Sequence, residues 1–222
     1  MFCRLTYRQM ETDPEQDDQW RELAKLEAAL GLPEGFTWQL YQQGDDWRFI
    51  VMMHAFIESA TSELLALHFD DAVLDTILQL PFNGRASKIQ LLSDLHDVPK
   101  DYLNFIKQLS KLRNRLAHNV RNFRLTVRGY VAELSQQEKV AFRNAMRPWV
   151  AEHPVAPDGV SLTRDDFIME CPREAMFYGA TRWLEVLQLI RSVEEKKAEL
   201  SQLRSRIDDL GPPEGTDPSG TP

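Results

Sequence analysis

A 20-residue segment, KDYLNFIKQLSKLRNRLAHN at residues 100–119, decides the fold of this chain. Successive residues of a helix are rotated by 100°, so four apolar side chains of this segment fall within roughly 60° of one another. They are Phe105, Leu109, Leu112 and Leu116. Asn114 and His118 share a face nearly opposite to them. The segment therefore predicts a helix from Lys100 to about Ala117 that buries one face and turns an Asn–His pair away from the core.

The rest of the chain also has helical periodicity, and no stretch is typical of a strand. Start signals lie at GDD (44–46), at the capping box SQQE (135–138) and at Thr163. Helices are predicted at about 19–30, 47–69, 72–80, 85–96, 100–117, 136–149 and 173–210, and residues 123–134 are either a short helix or extended. We expect an all-α fold, an antiparallel bundle with an N-terminal helix and a long C-terminal helix.

Composition shifts divide the chain into four parts. Residues 1–44 are predicted to be an N-terminal helical extension, 45–195 the bundle, 196–210 a projecting end of the C-terminal helix, and 211–222 a disordered tail. A heptad-like seam between 183 and 210 predicts an oligomer or domain contact, although packing on the chain's own bundle would give the same pattern up to Val193. A structural adaptor acting through this helix is the weakest of three functional hypotheses.

The net charge of −8, the pI of about 5.2 and the two cysteines favour a cytoplasmic protein that is not a general polyanion binder. The N-terminus lacks the apolar region of a signal peptide, and the longest apolar stretch is too interrupted to span a membrane. We therefore expect a cytoplasmic location and no membrane partner.

One interval of this acidic chain is cationic. Between Asp101 and Glu133 there is no acidic residue, whereas the interval contains Lys107, Lys111, Arg113, Arg115, Arg121, Arg124 and Arg128. Local cations of this kind attract a nucleic-acid backbone, because they displace its counterions. For Lys107, Arg124 and Arg128, an ordinary solvated helix face is the better interpretation.

Three residues of the segment could carry out RNA chemistry. His118 titrates near neutral pH and can move a proton to or from a ribose hydroxyl. Arg113 can make a forked contact with phosphate and stabilise a dianionic transition state. Asn114, one turn before His118, can orient the imidazole or hold a phosphate oxygen. Together they could cleave RNA without a metal, by in-line attack of the 2′-hydroxyl.

The spacing of the pair indicates a dimer. Arg113 and His118 are five residues apart, about 140° around an ideal helix, so one helix does not easily aim both at one atom. Two copies of the helix facing each other across a two-fold axis could bring both pairs into one cleft.

The stretch LRNRLAHN resembles the Arg-x(4–6)-His signature of HEPN domains, the nucleotide-binding domains of higher eukaryotes and prokaryotes. DDWRFIVMMHAFIESATSELLALHF is similar to the family's first long helix, RASKIQLLSDL to its second and YLNFIKQLSKLRNRLAH to its motif helix. The resemblance covers about residues 45–134 and implies a helical bundle that dimerises. For many members it also implies a metal-independent endoribonuclease, often a toxin or antiviral effector.

Carried over residue by residue, the resemblance implies that Arg113 and His118 are the catalytic pair and Asn114 the polar residue between them. Glu58 is the candidate for an acidic residue on an earlier helix; the alternatives are a carboxylate that ties down Arg113, or an exposed one. Lys111, Arg115 and Arg121 are the candidates for binding RNA phosphates. The partners implied are RNA, a second copy of the chain and an antitoxin or regulatory protein.

The same family contains members without nuclease activity, including regulators related to the mannitol-operon repressor. A non-catalytic nucleotide-binding, RNA-binding or transcription-regulatory module is therefore the second hypothesis. We expect no cofactor, because there is no glycine-rich phosphate loop. We also expect no metal, because His54, His68, His96 and His153 have no partner at metal-ligand spacing.

Overall fold

The computed structural model describes residues 14–69, 71–117 and 124–209. Within these ranges all regular structure is helical and no strand forms, which confirms the all-α class. The α-helices are α1 Pro14–Ala29, α2 Phe36–Gln42, α3 Asp46–Ala66, α4 Asp71–Leu78, α5 Lys88–His96, α6 Lys100–Ala117, α7 Val127–Glu133, α8 Gln136–Met146, α9 Arg164–Glu170 and α10 Pro172–Asp209. A 3-10 turn at Arg147–Trp149 follows α8.

Most of these helices begin close to where the capping residues and the apolar periodicity of the sequence predicted them. Helix α6 has the predicted bounds. The capping box of Ser135 and Glu138 begins α8, and the Thr163 side chain caps α9. The segment left open at 123–134 contains a helix, Val127–Glu133.

Helix α2 was not predicted, because the glycines and the proline before it, GLPEGF at residues 31–36, are residues that usually interrupt a helix. Gly35 caps it in the left-handed conformation, at φ 71°, which favours glycine. The helix is fixed instead by Glu27 of α1, whose carboxylate is buried and accepts hydrogen bonds from the backbone N–H of Gly35 and Thr37, each at 2.8 Å. A contact across eight to ten residues is invisible to local capping rules.

Three long helices form the centre of the bundle. Helices α3 and α10 run side by side in the same direction, because ion pairs join Asp46 to Arg173 near their beginnings and Glu63 to Arg191 farther along. Helix α6 is antiparallel to α10: Gly179 approaches Phe105, while the later Trp183 packs on the earlier Tyr102. Helix α5 precedes α6 and turns into it through Asp97, at φ 51°.

The first two helices pack into the same core. Leu23 and Leu26 of α1 are 2% exposed. Trp38 and Tyr41 of α2 lie against Phe177 of α10, with the Tyr41 and Phe177 rings stacked at 4.3 Å between centroids. Residues 14–42 therefore contribute directly to the core around α3 and α10.

The long helix α10 changes environment along its length. Trp183 is fully buried and Val186 and Ile190 are half-buried, so the first part of the apolar seam packs on the chain's own bundle. Every residue from 195 to 207 is exposed. Exposed apolar side chains continue the seam at Val193, Leu200, Leu203 and Ile207; Leu210 lies outside the described residues.

Helix α3 is the one helix in the described ranges that is long and apolar enough to cross a membrane. Its apolar window is 56% buried within the protein. Core helices of soluble proteins have the same length and composition, so this helix is weak support for a membrane span.

We expect Gly179→Ala to destabilise the protein. A Cβ at Gly179 would lie 2.3 Å from Cε2 of Phe105, where α10 meets α6. Alanine's higher helix propensity offsets part of the overpacking cost, leaving a net loss of about 1–2 kcal/mol in the free energy of unfolding. Urea denaturation should show a lower midpoint with an unchanged slope. Phe105→Leu should cost less in the Gly179→Ala background than alone; additive effects would contradict the proposed contact.

Candidate functional site

The predicted site residues divide into those that the structure places and those that lie outside it. His118 and Arg121 fall outside the described residues. Arg113 is half-buried near the end of α6, and Asn114 beside it is exposed. The Arg113 guanidinium donates a hydrogen bond to the Asn114 side-chain oxygen at 3.1 Å. This hydrogen bond links the arginine side chain to the neighbouring asparagine.

A buried polar pair lies close to Arg113, between α3 and α6. Nε2 of His54 is 3.2 Å from Oγ of Ser110, and both side chains are buried. Ser110 lies one helical turn before Arg113, so the two occupy neighbouring positions on α6. The rings of His54 and Phe82 pack edge to face, with 4.9 Å between their centroids.

Glu58 extends this arrangement to the surface. It lies one turn after His54 on α3, and its carboxylate is 3.8 Å from Nδ1 of His54 and 3.7 Å from Nζ of the buried Lys88. The Glu58 side chain is 34% exposed. No ion pair joins Glu58 to Arg113 in the described part of the chain, so Lys88 is the cation that the structure places against this carboxylate.

His54 is held neutral. Burial in the first place, and the positive charge of Arg113 in the second, lower the pKa of His54 from 6.5 to about 4. The nearby Glu58 carboxylate favours the tautomer with the proton on Nδ1, and Nε2 then accepts a hydrogen bond from the Ser110 hydroxyl. His54 is thus a neutral link between Ser110 on α6 and Glu58 on α3, and the field of Arg113 reaches it.

The sequence of contacts from Ser110 through His54 to Glu58 has the order of a Ser–His–acid hydrolase triad. Its geometry does not suit that chemistry. Ser110 is 7% exposed and His54 is 6% exposed, so the hydroxyl is not offered to an acyl substrate. The 3.8 Å separation of His54 from Glu58 is also longer than a hydrogen bond. We therefore interpret the three residues as the support of an exposed site around Arg113.

The cationic surface is less one-sided than the sequence indicates. Arg115 pairs with Glu133 of α7 at 3.0 Å, and Arg128 lies 4.0 Å from Glu170 of α9. Hydrogen bonds from Ser135, and then the charges of Lys111 and Arg115, lower the pKa of Glu138 on α8. Carboxylates on α7, α8 and α9 thus lie close to cations of this interval and partly neutralise them. Lys111 remains exposed.

Sequence reasoning missed His54, Lys88 and Ser110. The four-residue spacing of His54 and Glu58 was one available signal, since it places both on one helix face. The other was Ser110 within an apolar helix face. A second omission concerns two other histidines: the structure brings His68 and His96 together with Glu194, a grouping that no spacing in the sequence indicated.

We expect the His54 imidazole to remain neutral down to about pH 4, which NMR titration of its ring protons would show. In the unfolded chain the ring gains its proton near pH 6.5, so His54 contributes stability above that pH that is lost as the pH falls toward 4. The contribution is roughly 2–3 kcal/mol, measured as the difference between wild type and His54→Gln in unfolding experiments across this range.

Arg113→Gln is the matched variant for this titration. The substitution removes the positive charge, which is the smaller of the two causes of the lowered pKa, and keeps the burial of the ring. The pKa of His54 should therefore rise only part of the way to 6.5. An unchanged His54 titration in Arg113→Gln would contradict the placement of the guanidinium near the ring.

Comparison with known proteins adds no assignment to this geometry. No protein-family model, no curated protein and no solved structure matches the chain.

Proposed function

We propose that this protein is a metal-independent endoribonuclease of the HEPN type, a cytoplasmic toxin or defence effector that acts as a homodimer. The observation that carries the proposal is the position of Arg113. Its half-buried guanidinium is hydrogen-bonded to Asn114, and its charge acts on a buried His54 that also lies beside Glu58. A cation on one helix and an acidic group on a second, both near His54, form an arrangement suited to phosphate chemistry.

The reaction is attack of a ribose 2′-hydroxyl on the adjacent phosphorus. The bond between phosphorus and O2′ forms and the bond to O5′ breaks, which yields a 2′,3′-cyclic phosphate and a free 5′-hydroxyl. His118 transfers the proton, and Arg113 binds two phosphate oxygens as negative charge develops. Asn114 holds a phosphate oxygen or orients the imidazole, and Glu58 is the acidic residue on the neighbouring helix. No step requires a metal or a cofactor.

The RNA backbone on either side of the cleaved bond is bound by Lys111, Arg115 and Arg121. The exposed Lys111 supports this role. Arg115 can exchange Glu133 for a phosphate, since the two side chains are 57% and 56% exposed and an exposed ion pair contributes little to stability. RNA binding should weaken as salt concentration rises.

The homodimer completes the site. The five-residue spacing of Arg113 and His118 would point them in different directions on an ideal helix, so the pair that acts on one phosphate is assembled from two copies related by a two-fold axis. Small exposed side chains of α3 next to Glu58, Ala55 and Ser59, would let a second copy approach closely. An antitoxin or regulatory protein would act by covering this cleft.

A non-catalytic module of the mannitol-operon regulator type is the second candidate. The observation that favours it is the neutralisation of Arg115 and Arg128 by Glu133 and Glu170 in a chain of net charge −8. Such a module would use the same dimer and cleft to bind a nucleotide, RNA or protein without cleaving it.

We expect the wild type to cleave a mixed RNA substrate in the presence of EDTA, leaving 2′,3′-cyclic phosphate ends. His118→Ala should reduce the rate by about 10²–10⁴-fold, the usual contribution of a group that transfers protons. Arg113→Ala should cause a loss of similar size, because the developing charge loses its partner. His153→Ala, which changes an exposed histidine outside the site, is the matched control and should retain full activity.

Every variant should first be shown to be folded and dimeric in the assay buffer. Equal cleavage by wild type and His118→Ala would contradict the assigned site. RNA binding without cleavage by the folded wild type would favour the regulatory module instead.

A further inference from the structure

We propose that His68, His96 and Glu194 form a binding site for a divalent transition-metal ion, of which Zn²⁺ is the representative. The three residues come from separate elements. His68 lies in the turn after α3, His96 ends α5, and Glu194 is on α10. One ligand atom from each lies within 4.8 Å of the others. This proposal does not rest on the proposed ribonuclease function.

The distances are close to those of a coordinated ion. Bonds of about 2.0–2.1 Å in tetrahedral geometry separate neighbouring ligand atoms by about 3.4 Å. Nε2 of His68 is already 3.4 Å from Oε2 of Glu194. The rings of His68 and His96 pack edge to face with centroids 4.8 Å apart. A side-chain adjustment of up to about 1.4 Å would therefore bring the third ligand into a common coordination sphere.

A hydrogen bond from the ring nitrogen of His68 that points away from Glu194 orients the ring for metal binding. Nδ1 lies 3.2 Å from the carbonyl oxygen of Leu64, and because a carbonyl only accepts, Nδ1 carries the proton. In the neutral ring Nε2 then presents a lone pair to the Glu194 carboxylate. With the ring in that form, two acceptors would face each other across 3.4 Å, an arrangement that a bridging cation stabilises. A backbone carbonyl that orients a ligating histidine in this way is a common feature of metal sites.

His96 provides an independent observation. Its Nε2 is buried and has no hydrogen-bond partner in the described structure. A buried polar atom without a partner costs free energy, and native proteins contain few of them. Coordination of a metal through this nitrogen would satisfy it.

The ligand set selects the class of ion. Two imidazoles and one carboxylate suit Zn²⁺ and its first-row neighbours, whereas Mg²⁺ and Ca²⁺ prefer oxygen ligands alone. All three residues are partly exposed, so water can supply the fourth ligand. Bound metal would tie the end of α3 to α5 and α10. His68 is 14 residues beyond His54, about 20 Å along the helix direction, so this site is separate from Arg113.

The ammonium group of Lys197 would compete with a metal ion for the Glu194 carboxylate. Nζ of Lys197 is 2.8 Å from Oε1 of Glu194, on the carboxylate oxygen that does not face His68. The Lys197 side chain is 65% exposed and can leave the carboxylate for solvent. Removing the charge of this lysine should therefore raise the affinity for the metal.

The test uses the full chain without a purification tag, stripped of metal with EDTA and then desalted. Calorimetric titration with ZnCl₂ should show one ion per chain with a dissociation constant in the micromolar range or tighter. CoCl₂ should give the visible absorption of a tetrahedral or five-coordinate site. Thermal unfolding should shift to higher temperature with metal, because an ion that binds only the folded state stabilises it.

His68→Gln, His96→Gln and Glu194→Gln should each weaken Zn²⁺ binding at least tenfold. Gln can keep the hydrogen bond to the Leu64 carbonyl, and Glu194→Gln keeps the shape of the side chain. His153→Gln, an exposed histidine away from the cluster, is the control and should bind as wild type does. Circular dichroism of the metal-free variants checks their fold.

Lys197→Gln should bind Zn²⁺ severalfold more tightly, because it removes the competing positive charge without touching a ligand. Three results would overturn the assignment: no Zn²⁺ binding below millimolar concentrations, binding that His68→Gln and Glu194→Gln leave unchanged, or weaker binding by Lys197→Gln. None of these results depends on RNA cleavage, so failure of this proposal and failure of the ribonuclease proposal are separable.

Discussion

The carboxylate of Asp46 is the point at which three helices of the bundle are joined. One oxygen lies 3.0 Å from the guanidinium of Arg173 at the beginning of α10, and the other accepts the backbone N–H of Val127 at the beginning of α7, at 2.8 Å. The two charged side chains are only 13% and 15% exposed. Removing either partner would leave a desolvated charge, so this pair constrains the helix ends strongly. Arg173 also lies over the rings of Tyr41 and Phe49, which connects the pair to the aromatic core.

This pair also sets the register between α3 and α10. The two helices are parallel, and His68 and Glu194 follow Asp46 and Arg173 by nearly equal numbers of residues, which correspond to about 32 Å of helix. Pairing at one end therefore places His68 against Glu194 at the other. The histidine cluster follows from this alignment, whereas the Arg113 site, at another height along α3, depends on the packing of α3 against α6.

The sequence predicted those features that depend on near neighbours. Helix α6 was predicted with its bounds because its apolar period is a local property of the sequence. The features that were missed depend on residues far apart in the chain. Gly35 begins α2 because Glu27 reaches it, His54 meets Ser110 across 56 residues, and Glu133 and Glu170 return to cations that appeared unopposed. In the same way, no spacing rule links His68, His96 and Glu194, since they come from three different elements.

The exposed end of α10 has a consequence for the dimensions of the molecule in solution. The helix has 38 residues and is about 57 Å long, and it is exposed on all sides from residue 195 to 207. A compact domain of this chain length would have a radius of gyration of about 17 Å. A helix that continues past the bundle raises this value and lengthens the particle in one direction. Any molecule that binds Leu200, Leu203 or Ile207 would be attached to the bundle at a distance, through a single continuous rod.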